Sequence, residues 1–205
     1  MSAVATVYLV DDDPAVREGL AGLVRSMGME PHAFASAREF LDQPRAPGPA
    51  CLVLDVMLPD LSGLDLQRAL AADENAPPIV FITGHGDIPM SVRAMKAGAV
   101  EFLAKPFDAD DLARAIEEAI ARDREARERR AGLAEARARF EALSPREREV
   151  AACVMRGLLN KQIAAALGIS EDTVKVHRRH IMRKLGVGSV AELVRIASRL
   201  GMADA

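Results

Sequence analysis

Aromatic side chains are scarce in this sequence. It has no tryptophan, one tyrosine and six phenylalanines in 205 residues. So few rings are poor material for a pocket that encloses an aromatic or apolar ligand. Cysteine is scarcer still: Cys51 and Cys153 lie in separate apolar segments. Two such thiols make no disulfide framework and are too few for a structural zinc site, so buried free thiols in a reducing cytoplasm are expected. Long apolar runs are missing too. Stretches such as Ala50 to Leu54 and Ile79 to Ile82 fall far short of the roughly 20 residues a membrane-spanning helix needs. The first residues carry no basic leader before a strand-like pattern begins, so no secretory signal is expected.

What is present is divided. Residues 1–123 hold 10 basic and 20 acidic side chains, a net −10, whereas residues 142–205 hold 11 and 6, a net +5. The overall −3 conceals an acidic front and a basic back, and the back is the candidate for binding a polyanion. The front half alternates short apolar runs (Val7–Val10, His32–Phe34, Cys51–Leu54, Ile79–Ile82, Glu101–Leu103) with amphipathic segments (Pro14–Met27, Ala37–Leu41, Leu64–Ala72, Met90–Ala97). This order implies strand–helix–strand crossovers and a doubly wound parallel sheet covered on both faces. Asp108 to Ala142 has no proline and one glycine, and reads as one long helix. Its early apolar positions Leu112, Ile116 and Ile120 face a core, and the charged stretch from Arg122 to Arg130 is expected to be solvated. Ser144-Pro145-Arg146-Glu147 then signals a helix start with N-cap serine, proline at the first helical position and glutamate at the third. Further helices are expected over Asn160–Leu167, Glu171–Leu185 and from Ser189 to near Gly201. The expected domains are 1–122, a helical linker 123–141, and an all-α four-helix domain 142–205.

Asp11, Asp12 and Asp13 follow the first strand run and Asp55 the third, so both groups emerge at one edge of a parallel sheet, where sites of such folds lie. Clustered carboxylates repel one another and call for a hard cation such as Mg²⁺. Thr83 ends the fourth run and Lys105 the last. A cation, a hydroxyl and an ammonium around one carboxylate are what phosphoryl transfer to that carboxylate requires. Asp13 is expected instead to cap the helix beginning at Pro14. Pro106 favours a cis bond after Lys105, and His85 reads as a loop residue bordering the pocket.

The segments Leu9-Val10-Asp11-Asp12-Asp13, Leu54-Asp55-Val56-Met57-Leu58-Pro59, Ile82-Thr83-Gly84-His85-Gly86-Asp87 and Phe102-Leu103-Ala104-Lys105-Pro106-Phe107 resemble the receiver domain of two-component response regulators. Together with Ala94-Met95-Lys96-Ala97-Gly98-Ala99 they are similar to the FixJ and StyR type. The resemblance covers residues 5–122 and implies a flavodoxin-like receiver with a five-stranded parallel sheet. It implies that Asp55 is the phosphoryl acceptor. It also implies that Asp12, Asp55 and the carbonyl of Met57 ligate Mg²⁺ with help from Asp11, that Thr83 and Lys105 hold the phosphoryl oxygens, and that Phe102 is an aromatic switch.

In the basic domain an eight-residue helix, a glycine turn and a capped longer helix form a helix-turn-helix pattern. With Val174, Ile181 and Leu185 toward the core, the side chains of Lys175, Arg178, Arg179 and Met182 point away from it. Thr173, Lys175, Val176 and Arg179 can then face a groove, while Lys161, Arg183 and Lys184 can meet phosphates. Leu143-Ser144-Pro145-Arg146-Glu147-Arg148-Glu149-Val150, Asn160-Lys161-Gln162-Ile163-Ala164 and Thr173-Val174-Lys175-Val176-His177 resemble the NarL and LuxR type of DNA-binding domain over residues 142–204. This implies base contacts from Lys175, Val176 and Arg179, phosphate contacts from Thr173 and Lys161, and dimeric binding through the helix from Ser189 to Leu200.

The expected whole is a cytoplasmic, non-enzymatic regulator. The resemblance implies a sensor histidine kinase, promoter DNA, RNA polymerase and, on phosphorylation, a second copy of the chain as partners. An aspartyl-phosphate phosphatase is disfavoured: it wants its nucleophile and a second aspartate two residues apart on one strand. A ligand-controlled regulator lacks material for a pocket in the front half.

Overall fold

The computed structural model of the chain describes residues 4–84 and 87–202. The chain divides into two compact units, residues 1–127 and 128–205, which meet inside the segment read as a linker.

In the first unit five strands, β1 (Thr6–Val10), β2 (Glu30–Phe34), β3 (Ala50–Asp55), β4 (Ile79–Thr83) and β5 (Glu101–Ala104), pair in parallel in the order β2-β1-β3-β4-β5. The period of two sorts their side chains. Val7, Leu9, Cys51, Val53, Val80 and Ile82 pack with α1 (Pro14–Ser26) and the start of α5 (Ala109–Glu141). Tyr8, Val10, Leu52, Leu54 and Phe81 pack on the other face with α2 (Ala37–Leu41), α3 (Gly63–Leu70) and α4 (Ile88–Lys96). Strand β2 starts two residues earlier than its apolar run suggests, because it is an edge strand whose outer residues meet water and leave no apolar signal.

The long helix departs from expectation. The charged stretch after Ala121 is not wholly solvated: Asp123 is 2% exposed. Its Oδ2 accepts a bond from the amide of Ala50 at 2.8 Å and pairs with Arg127 Nε at 2.7 Å. A buried carboxylate is tolerable only with such partners, and here it fastens α5 to the start of β3.

The second unit packs Phe140 and Leu143 with α6 (Pro145–Met155), α7 (Asn160–Leu167), α8 (Glu171–Leu185) and α9 (Val190–Arg199). Gly168, in the left-handed region at φ 65°, ends α7, and Ser170 caps α8 by accepting from the amide of Thr173. Val174, Ile181 and Leu185 are buried as their spacing predicts. Met182 departs from expectation and leans on this core, because it lies one residue from Ile181 on the flank of the buried stripe. No helix among the described residues is long and apolar enough to cross a membrane.

Candidate functional site

The order β2-β1-β3-β4-β5 reverses between β1 and β3, and an open parallel sheet forms its crevice beyond the strand ends at such a point. Asp11 stands immediately past β1, fully buried, and Asp55 is the last residue of β3, 6% exposed. Asp12 is exposed beside them. Asp13 turns away to cap α1, accepting from the amides of Ala15 and Val16 at 2.8 and 3.5 Å. One oxygen from each of Asp11, Asp12 and Asp55 falls within 4.8 Å of the others. Lys105 answers their charge, with Nζ 2.6 Å from Oδ2 of both Asp11 and Asp55. The Lys105–Pro106 peptide is cis.

Burial is the largest influence on the Asp11 carboxyl and raises its pKa, the hydrogen bond from Lys105 opposing it. Burial pulls the Lys105 ammonium down, but the two carboxylates outweigh it and hold it above its ordinary value. A half-buried cation bound by two acids is therefore firmly charged. Thr83 is fully buried at the end of β4, and its carbonyl accepts from the Lys105 amide at 2.7 Å. The amide of Met57 donates to Asp55 Oδ1 at 2.8 Å. Phe102 on β5 is half-buried with its ring 6.1 Å from that of Phe81. The fold thus gathers Asp11, Asp12, Asp55 and Lys105 within contact range, with Thr83 and Phe102 on the neighbouring strands. His85 lies outside the described residues.

The donor set is all oxygen and crowded enough that one ammonium already bridges two of its members. Those are the conditions a hard divalent cation answers, so the residues present fit Mg²⁺.

Three supports of this pocket are not apparent from motif spacing. Gly63 packs so closely under β3 that a Cβ there would stand 2.5 Å from the Asp55 carbonyl oxygen. Arg17 Nη1 donates to the Asp11 carbonyl at 2.7 Å and steadies the turn into α1. Asp60 accepts from the amides of Ala37 and Arg38, tying the loop after Asp55 to α2. Each joins residues whose relation only the fold reveals, although glycine in Ser62-Gly63 is a signal that backbone comes near.

On the second unit, Thr173, Lys175, Val176, Arg179 and Lys161 are all exposed on α8 and at the start of α7. Some have partners. Lys175 Nζ sits 2.9 Å from Asp172 Oδ1 on the surface, and Thr173 Oγ1 is 2.8 Å from Ser170 Oγ. Arg178 points less to solvent than its spacing implies: it is half-buried and donates to Asn160 Oδ1 at 3.1 Å, bracing α8 on α7. Lys184, which the charge pattern puts among the phosphate contacts, has Nζ 2.7 Å from Glu147 Oε2. It would have to leave that pair to reach a phosphate. The same Glu147 oxygen accepts from the Ser144 amide, so one carboxylate joins the cap of α6 to the last turn of α8.

Comparison with known proteins follows the same division. Residues 7–117 match the family described as response regulator receiver domain, and residues 141–197 the family of bacterial regulatory proteins of the luxR type. Nodulation protein W of Bradyrhizobium diazoefficiens is 51% identical over 98% of this chain and 88% of its own length. Transcriptional regulatory protein FixJ of the same species is 42% identical over 98% of both chains. The solved structure of the response regulator StyR, 50% identical, superposes with a TM-score of 0.85 over 96% of this chain and all of its own.

Proposed function

Because the chain belongs to the response regulators that join a receiver to a LuxR-type DNA-binding domain, and is thus a phosphorylation-dependent transcriptional regulator of a two-component system, we propose that Asp55 is its phosphoryl acceptor. The observation that carries this is the Lys105 ammonium held 2.6 Å from both Asp55 and Asp11. We assign residues 1–122 to the receiver, 123–141 to a connecting segment and 142–205 to the DNA-binding domain.

In this reading a sensor histidine kinase is the donor. An Asp55 oxygen forms a bond to phosphorus as the bond from phosphorus to the kinase's histidine nitrogen breaks. The electron pair stays on that nitrogen. Asp11, Asp12, Asp55 and the Met57 carbonyl would hold Mg²⁺, which would supply positive charge to the phosphoryl oxygens. Lys105 exchanges its bond to Asp55 for one to a phosphoryl oxygen, and the Thr83 hydroxyl takes another. The Thr83 movement gives Phe102 room to turn toward Phe81. A second copy of the chain is the partner this favours, since α4 exposes Ile88, Val92 and Met95 at helical spacing. On DNA, Lys175, Val176 and Arg179 read bases, and Thr173 and Lys161 meet phosphates, with α9 at the dimer contact and RNA polymerase as the further partner. The cytoplasm is where such a chain with two buried free cysteines works.

Intact-mass measurement after incubation with acetyl phosphate and Mg²⁺ tests the acceptor. Wild type should gain one phosphoryl group and Asp55→Asn none. An adduct of equal yield in the variant moves the site elsewhere.

A further inference from the structure

The stretch from 118 to 140 falls outside both matched regions, yet its last turn reaches the helix that faces DNA. Arg139 Nη1 donates to the Leu185 carbonyl at 3.2 Å. Leu185 is the final residue of α8, where helix carbonyls lack intrahelical partners and the helix dipole is negative. The turn that follows satisfies the carbonyls of Arg183 and Met182 through the amides of Gly186 and Val187, so Arg139 serves the carbonyl after them. The guanidinium is aimed from behind: Nη2 lies 2.6 Å from Oε1 of Glu135, one turn earlier on α5.

Gly186 sits at φ 68°, the left-handed ending common to helices, and the space a Cβ would take there is occupied by Arg139 Nη1, 2.6 Å from that position. The next residue, Phe140, is buried in the core of the unit, and Arg148 closes the end of α5 by donating to the carbonyls of Glu141 and Leu143. The end of α5 is thus fixed from both sides. A cavity of about 230 Å³ is lined from α5, α8 and α9 by Leu133, Phe140, Leu185, Ile196 and Arg199 among others. Arg139 is part of that lining and bridges from α5 to the Leu185 carbonyl.

We infer that Arg139 is a positioning residue for DNA reading: held by Glu135, it caps the end of α8 and makes the placement of the reading helix depend on the connecting helix. The inference rests on the reading of α8 as the base-contacting helix. Its chemistry is a charge-assisted bond from a cation to a helix C-terminus, which lysine can in part reproduce.

The test uses the full-length chain, loaded with beryllofluoride and Mg²⁺, on a duplex selected from random sequence by the wild type and on an unrelated duplex. Arg139→Ala should lower the ratio of the two affinities by about three- to tenfold, and speed amide exchange at Gly186 and Val187. Arg139→Lys should restore at least half of the lost ratio, which a merely bulky residue would not do. Arg137→Ala, an exposed change two residues away on the same helix, should leave the ratio as in wild type. An unchanged ratio in Arg139→Ala, or a loss that lysine does not repair, overturns the inference. Arg179→Ala separates the two claims. If it abolishes discrimination while Arg139→Ala does not touch it, only the positioning role falls. If Arg179→Ala also leaves discrimination intact, the reading of α8 itself fails.

Discussion

Asp55 owes its position to a residue without a side chain. Gly63 donates its amide to the Val56 carbonyl at 2.9 Å, and any Cβ on it would press on the Asp55 and Val56 backbone. Gly63→Ala should therefore cost about 1–3 kcal/mol by overpacking and slow labelling by acetyl phosphate. Gly19→Ala is the matched control, because a Cβ there meets nothing within 4 Å, and in a helix it should gain about 0.5–1 kcal/mol. Urea unfolding and labelling rates of both proteins check the pair. A second residue, Glu147, carries a pH signature. The hydrogen bond from Lys184, and next that from the Ser144 amide, hold its carboxyl down at about 2, against an ordinary 4.5. A carboxyl depressed on folding stabilises above its unfolded value and loses that contribution as pH falls. The window here runs from about 4.5 down to about 2. With Lys184 partly in water, the effect is on the order of 1–2 kcal/mol. Wild type should exceed Glu147→Gln in stability at pH 6–7, and the two should converge on acidification through that window. A constant gap would mean the ionised form contributes nothing. The acid pocket was legible in sequence because each of its members ends a strand run. The Lys184–Glu147 and Asp123–Ala50 contacts were not, since they join positions 37 and 73 residues apart with no spacing rule between them.

Elements were most legible where their ends are chemical. Ser144, Ser170 and Ser189 each accept an amide bond at the start of a helix, and proline and glycine mark the remaining turns, so the four helices of the basic unit could be drawn from sequence. Periodicity was less informative on α5, where a 33-residue helix of low mean hydropathy hides one buried aspartate among many solvated charges. The exception among the caps is α7. Leu159 stands at its N-cap with no side-chain bond to offer and is 70% exposed, and Gln162 only partly compensates by accepting from the Leu159 amide at 2.8 Å. A serine there would satisfy an orphan amide and remove apolar surface from water. Leu159→Ser should stabilise the chain by about 1 kcal/mol, read as a rise in the urea midpoint. A fall instead would show that the leucine makes a contact worth more than a cap.

Across the whole molecule, charge sets a problem that phosphorylation does not ease. The receiver half carries a net −10 and the DNA-binding half only +5. A phosphoryl group adds roughly −1.5 to −2 more, so on charge alone the activated chain should bind DNA worse. On the dimer proposed above, a gain in affinity would come from joining two output domains, each of which raises the effective concentration of the other on a two-site duplex. This makes the oligomeric step measurable apart from the chemical one. Beryllofluoride should shift sedimentation from monomer toward dimer and tighten binding to a duplex with two half-sites by at least about tenfold. It should change little on a duplex with one. Salt provides the second reading, because log affinity falls with log salt by nearly one unit per phosphate contact. The activated protein on two half-sites should show about twice the slope it shows on one, and Lys161→Ala should reduce the one-site slope by about one unit. Arg179→Ala should instead relax base preference and leave that slope largely intact. Equal tightening on one and two half-sites would place the gain within a single output domain, and dimerisation would then not be the route by which phosphorylation reaches DNA.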